Sequence, residues 1–171
     1  MKRMHGQTLV ELMVCLSIGG IILTSALPTL TSTLQRSQQT QNVNQLLGAL
    51  HYDRGSAVMG RKTIALCSGS TLCNPEQVWQ NQLLVFDDLN RNGQLDNGEE
   101  LLQQLSMPQG YSWRWSNFRS RSYLQFEADG TTPALNGTLT LCHANAPTRQ
   151  IVINLTGRAR TQAAPGDARC S

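Results

Sequence analysis

The residues best suited to chemistry lie near the C-terminus, at Gly157-Arg158-Ala159-Arg160. In an extended chain Arg158 and Arg160 share one side, ~6.5–7 Å apart at the strand rise per residue. Two guanidinium forks at that spacing can grip successive phosphates of one nucleic-acid strand. Gly157 has no Cβ, so the backbone there can turn and approach closely. Arg149 and Arg169 widen the basic surface; from Arg149 to Ser171 four arginines face a single acid, Asp167. Alone, the string is short and equally describes a solvated basic tail, and Thr161–Gly166 after it reads as mobile.

A second constellation runs from Asp88 to Glu99. It fits the twelve-residue calcium-loop template: oxygen side chains at Asp88, Asn90, Asn92 and Asp96, Gly93 at the turn, Glu99 last. Its flanks do not fit, because Gln82–Phe86 has the composition of a strand where a helix should enter. Three acids with two asparagines also make a weak site. A polar loop that needs Gly93 and Gly98 for its turns therefore stands first and calcium second; if calcium binds, it stiffens the loop. No other cofactor is expected. His5, His51 and His143 are not spaced with a Ser or Cys nucleophile in any catalytic pattern, and no phosphate-cradling glycine loop occurs. The expectation is a protein that is not an enzyme.

Of five cysteines, Cys15 lies in an apolar stretch and is expected to be a small buried hydrophobe. The other four form an even set, which in an oxidising compartment favours disulfides. Proximity pairs Cys67 with Cys73 as a local clamp, and Cys142 with Cys170 as a tether for the tail. Four cysteines could also hold zinc, but no C-x-x-C knuckle is present.

These groups must be positioned by a chain of 171 residues with a net charge of +3, too small to imply nucleic acid by itself. Met1–Gly6 is a basic stub. Leu12–Leu30 carries no charge and meets the lower length limit for a bilayer-spanning helix. The only small residue at the polar–apolar boundary is Gly6, before the apolar core, which suggests a leader clipped between Gly6 and Gln7 that leaves the helix on the mature chain. Glu11 at the edge of that run needs a cationic partner, and the freed α-amino group of a neighbouring subunit can supply one. The helical pattern then continues through Leu30, Leu34, Val43, Leu46, Leu47 and Leu50 to about Val58, loosened at Pro28 and ended by Gly60. Strands are expected at Thr63–Cys67, Val78–Phe86, Tyr111–Trp115, Ser122–Glu127, Thr138–Cys142 and Gln150–Leu155. Trp79, Trp113 and Trp115 are expected in the core rather than as stacking platforms. The fold class is α+β, a long N-terminal helix packed on antiparallel sheets. Its divisions are a leader (1–6), a transmembrane and filament-core helix (7–30), an amphipathic continuation (31–58), a β-rich domain (59–156) and a basic tail (157–171).

Gly6, Thr8, Leu9, Glu11, Leu12 and Met13, with Pro28 downstream, resemble the processing motif of type IV pilin-like proteins. The resemblance implies that a prepilin peptidase cuts after Gly6 and methylates the new terminus, and that Glu11 docks the subunit among other pilins. The usual first mature residue is Phe; here it is Gln7. Leu66-Cys67-Ser68 followed by Cys73, Trp79 before Leu84-Val85-Phe86-Asp87, and terminal Cys170 make the whole chain similar to the GspH/FimT branch. In FimT-type minor pilins a Gly-Arg-x-Arg motif near the C-terminus binds DNA in natural transformation, and Gly157, Arg158 and Arg160 match it. The resemblance thus implies an inner-membrane protein with a periplasmic domain that enters an extracellular pilus and binds double-stranded DNA. The alternatives it leaves are a structural minor pilin that primes pilus assembly, and a GspH-type pseudopilin of type II secretion.

Overall fold

A computed structural model describes residues 8–171, apart from the side chains of 22–29. Gly6, Gln7, the leader and the Pro28 ring fall outside the described residues. Helix α1 runs Leu9–Gly60. Thr8 caps it: its Oγ1 accepts from the Glu11 N–H at 3.3 Å and its carbonyl from Leu12 at 3.2 Å. Thr8-Leu9-Val10-Glu11 is thus a capping-box sequence, and it places a carboxylate in the first turn, where the helix dipole favours one.

The chain divides into two units, Met1–Gln38 and Gln39–Ser171. In the first, Leu9, Val10, Leu12, Met13, Val14, Leu16, Ile18 and Ile21 are all exposed on the isolated chain. Cys15 is exposed too, contrary to the expectation of burial, because this stretch of helix has no protein layer around it in a single subunit. No helix of the described residues is long and apolar enough to cross a membrane. The described apolar stretch Leu9–Ile21 falls short of the ~20 residues a span requires.

In the second unit, α1 buries a stripe of Val43, Leu46, Ala49, Leu50 and Ala57 at helical spacing. The helix stops in a Schellman arrangement: the Lys62 N–H reaches the Ala57 carbonyl at 3.1 Å, and Arg61, not Gly60, takes the left-handed conformation at φ 52°. Nine strands follow among the described residues: β1 (Ile64–Ser68), β2 (Val78–Trp79), β3 (Gln82–Asp87), β4 (Leu101–Ser106), β5 (Tyr111–Asn117), β6 (Leu124–Phe126), β7 (Gly137–His143), β8 (Ala146–Ile153) and β9 (Ala159–Ala163). They form two antiparallel sheets, β4-β3-β1-β6 and β2-β5-β7-β8-β9, around one core. The single strand expected over Val78–Phe86 is two strands in different sheets, because Asn81 turns left-handed at φ 64° between them. The expected tail is not free either: β9 pairs with β8 from Arg149↔Ala163 to Ile153↔Ala159. Both disulfides form as expected, Cys67–Cys73 and Cys142–Cys170. Trp79, Trp113 and Trp115 lie in the core.

One core residue breaks the pattern. Asp53 lies on the buried stripe of α1 at 0 % exposure, and neither carboxylate oxygen has a hydrogen-bond partner. Burial alone pushes its carboxyl well above the ordinary range. The unfolded chain therefore ionises first. The penalty is absent below pH ~4 and grows as pH rises above the unfolded value. Asp53→Asn is expected to raise stability at pH 7, because the amide stays uncharged when buried and the carboxyl does not do so without cost. The gain should vanish near pH 4. Denaturant melts of both proteins at the two pH values check this, and a gain that persists in acid would locate the effect elsewhere.

Candidate nucleic-acid interface

The Gly-Arg-x-Arg string closes the turn from β8 into β9, and Asn154 organises it. The Asn154 side-chain oxygen accepts from the Arg158 N–H at 2.9 Å and from the Thr156 hydroxyl at 2.8 Å. Its carbonyl accepts from the Gly157 N–H at 2.9 Å and from the Thr132 hydroxyl at 2.9 Å. The Thr132 N–H bonds the Leu155 carbonyl at 3.0 Å, so the turn is pinned to the segment after β6. Gly157 is buried at φ 72°, and a Cβ there would collide with the Gly130 carbonyl oxygen. The close approach that its missing Cβ permits is thus to the protein's own backbone. Arg54 of α1 donates through Nε to that same Gly130 carbonyl at 3.0 Å, adding a third guanidinium beside the turn.

Ala159 packs on the core, so Arg158 and Arg160 on either side of it face solvent. Neither guanidinium has an ion pair or hydrogen bond among the described residues. The arginines are thus presented by an ordered turn and an edge strand. Arg149 and Arg169 do not join them. Arg149 pairs with Ala163, four residues along the strand from Ala159 and on the opposite face of the sheet from Arg160. Arg169 is anchored through Cys170 to Cys142, which pairs with Pro147 at the far end of the sheet from the Ile153–Ala159 pair. Asn154, Thr132, Gly130 and Arg54 escape the sequence analysis because their roles rest on contacts between segments far apart in the chain. An Asn three residues before a Gly is the one local hint of the turn.

The Asp88–Glu99 loop consumes its carboxylates internally. Asp88, buried, takes the Asn92 N–H at 3.1 Å, the Gly93 N–H at 2.8 Å and the Gln125 amide. Glu99 takes the N–H groups of Leu89 at 2.9 Å and Asp96 at 3.0 Å. The amides of Asn90 and Asn92 both donate to Asp96, at 2.8 and 2.7 Å, and hold its carboxyl below the usual range. Gly93 is left-handed at φ 72°, and a Cβ would strike the Tyr123 ring. Among the described residues no three His, Cys, Asp or Glu side chains converge as a metal site. Of the histidines, His143 stacks on Tyr111 with ring centroids 4.5 Å apart, and His51 is exposed.

The family model for the type II transport protein GspH matches residues 42–157, and that for the prokaryotic N-terminal methylation motif matches residues 1–27. The latter marks a membrane-anchored pilus component. Two crystal forms of the type IV minor pilin FimU from Pseudomonas aeruginosa share the fold. One aligns with a TM-score of 0.60 at 20 % identity, over 80 % of this chain and 98 % of FimU. The other aligns with 0.56 at 21 %, over 75 % and 96 %. No curated protein sequence matches. With a family model covering more than half its length behind a methylation motif, this chain belongs to the GspH family of type IV pilin-like proteins.

Proposed function

We propose that this chain is a FimT-like minor pilin that binds DNA without sequence preference and serves its capture in natural transformation. The observation that carries the reading is the pair Arg158 and Arg160, exposed, free of ion pairs and fixed by the Asn154 turn. The turn orders the backbone that carries them, so no loop has to be ordered when they meet a phosphate. Phosphate contacts do not read bases, so no sequence preference is expected. The exposed apolar helix of Leu9–Ile21 supports assembly with other pilins, since that surface needs a bilayer or neighbouring helices around it. A second reading, a structural pseudopilin of a type II secretion machine, is favoured by the GspH match itself. The two readings share the fold and Glu11 and part at the arginines.

Arg158→Gln with Arg160→Gln is expected to abolish DNA binding while leaving the melting temperature and pilus assembly unchanged. Each phosphate contact contributes about −0.9 to the log–log salt slope, so each single variant should flatten it by about one. Fluorescence anisotropy across a salt series measures this, and an unchanged slope in the double variant moves the structural reading ahead. Asn154→Ala removes no charge, yet it is expected to weaken binding severalfold, because the turn that aims Arg158 loses two side-chain bonds. Equal affinity would show that the arginines work equally well on a loose chain.

Assembly is tested at the other end. Glu11→Ala is expected to be cleaved after Gly6 but to enter pili poorly, as read by N-terminal sequencing and pilus blots. Glu11→Gln separates causes: a capping box accepts Gln, whereas an α-amino partner needs the charge. Full rescue by Gln would remove the charge-pair role.

A further inference from the structure

The turn between β5 and β6 reads Phe118-Arg119-Ser120-Arg121 and is closed by Asn117. The Asn117 side chain accepts from the Arg121 N–H at 3.0 Å and donates to the Arg121 carbonyl at 2.7 Å. Its own carbonyl takes the Ser120 N–H at 3.2 Å, and Ser120 sits left-handed at φ 52°. This ordered turn holds Phe118 at 85 % exposure, the most exposed large apolar side chain among the described residues. Arg119 and Arg121 follow it in the same turn, both exposed and without ion pairs among those residues. A phenyl ring held out in water on a turn that also carries two arginines serves no core: the buried aromatic residues lie on the strands or, for Tyr123, just before β6.

Strand register locates this turn. Asn117 pairs with Gly137, Gly137 with Ile153, and Ile153 with Ala159. One row across the five-stranded sheet therefore joins the Phe118 turn to the Arg158 turn, and both lie at the same end of that sheet. Three interstrand steps separate them by about 14 Å.

We propose that the β5–β6 turn is a second anchor of the DNA interface, in which Phe118 stacks on an unpaired base and Arg119 and Arg121 take flanking phosphates. This rests on the reading that Arg158 and Arg160 hold DNA, and it specifies the form of DNA. Bases inside a duplex are stacked on each other and give an aromatic ring no face. Single strands and frayed duplex ends do, and every base has a π-face, so the contact is independent of sequence. The protein then captures duplex DNA by its ends and binds single-stranded DNA more tightly than an intact duplex.

The test uses detergent-solubilised full-length protein with a mixed-sequence single-stranded oligonucleotide, and with a relaxed covalently closed circular duplex, which has neither free ends nor unpaired loops. The wild type is expected to prefer the single strand by about tenfold, the lower range for one stacked base. Phe118→Ala should erase that preference without changing duplex affinity or salt slope, and Phe118→Trp should restore it. Arg119→Gln with Arg121→Gln should flatten the slope on the single strand by about 1.4. Phe118 is exposed, so unchanged melting temperatures are expected and would exclude misfolding. Equal binding of both DNAs by the wild type, or a single-strand preference that survives Phe118→Ala, overturns the proposal. So does reduced pilus incorporation of Phe118→Ala with DNA binding intact, which assigns the ring to a protein contact. Loss of duplex binding only in the Arg158/Arg160 double variant leaves the primary reading standing while this one fails.

Discussion

Everything in the second unit depends on how Trp79 and Trp115 are buried without stranding their N–H groups. Trp79 of β2 and Trp115 of β5 belong to one sheet, and their rings lie 5.9 Å apart. The Trp79 indole donates to the Ser122 carbonyl at 2.8 Å and that of Trp115 to the Tyr123 carbonyl at 3.0 Å. Both acceptors immediately precede β6, a strand of the other sheet. The polar edges of the largest core side chains thus fasten the two sheets together, while their faces lie in the shared apolar core. Gly93 fits against Tyr123 at the same place, so the acidic loop is keyed to this joint as well.

The turns at the end of the five-stranded sheet inherit their rigidity from that joint. Ser122 follows directly on Phe118–Arg121, so fixing it fixes the exit of the β5–β6 turn. Thr132, a few residues beyond β6, holds the β8–β9 turn through two bonds. In both turns an asparagine makes paired bonds to backbone four residues on, a local closure that leaves the following side chains free to point outward. Gly157 also belongs to this scheme: the left-handed backbone and the contact with Gly130 bring the chain back so that β9 can pair. Exposed arginines on a sheet edge also discourage edge-to-edge pairing with other chains. Their charge is therefore useful whether or not a ligand is bound.

What the sequence made legible follows from which interactions are local. The amphipathic stripe after Val43, the Cys67–Cys73 clamp and the solvent-facing placement of Arg158 and Arg160 each rest on short spacings and are legible in the sequence. Strands β4 and β9 are not. Leu-Leu-Gln-Gln-Leu-Ser has no β-branched or aromatic residue and Ala-Arg-Thr-Gln-Ala has only Thr161, and each lies at a sheet edge where pairing with one neighbour, rather than propensity, makes the strand. The segment after Arg160 therefore looks like a mobile tail in the sequence and is an edge strand in the fold, and Arg149 and Arg169 are near Arg158 along the chain but not in space. The acidic loop shows the converse case. A good string match to a calcium template is met by a loop whose carboxylates are already spent on N–H groups, and only the three-dimensional bonding reveals that.

On the proposed reading, affinity is built from several weak contacts. Two exposed arginines make at best a few phosphate contacts, and non-specific binding of that size is weak at physiological salt. A single subunit would then be a poor DNA trap. The proposed second contact at the Phe118 turn, about 14 Å away along the same sheet end, would link two weak contacts on one frame, so that the second forms at high effective concentration once the first is made. Incorporation into a filament would repeat the effect between subunits, and weak individual contacts would let the strand be released one anchor at a time.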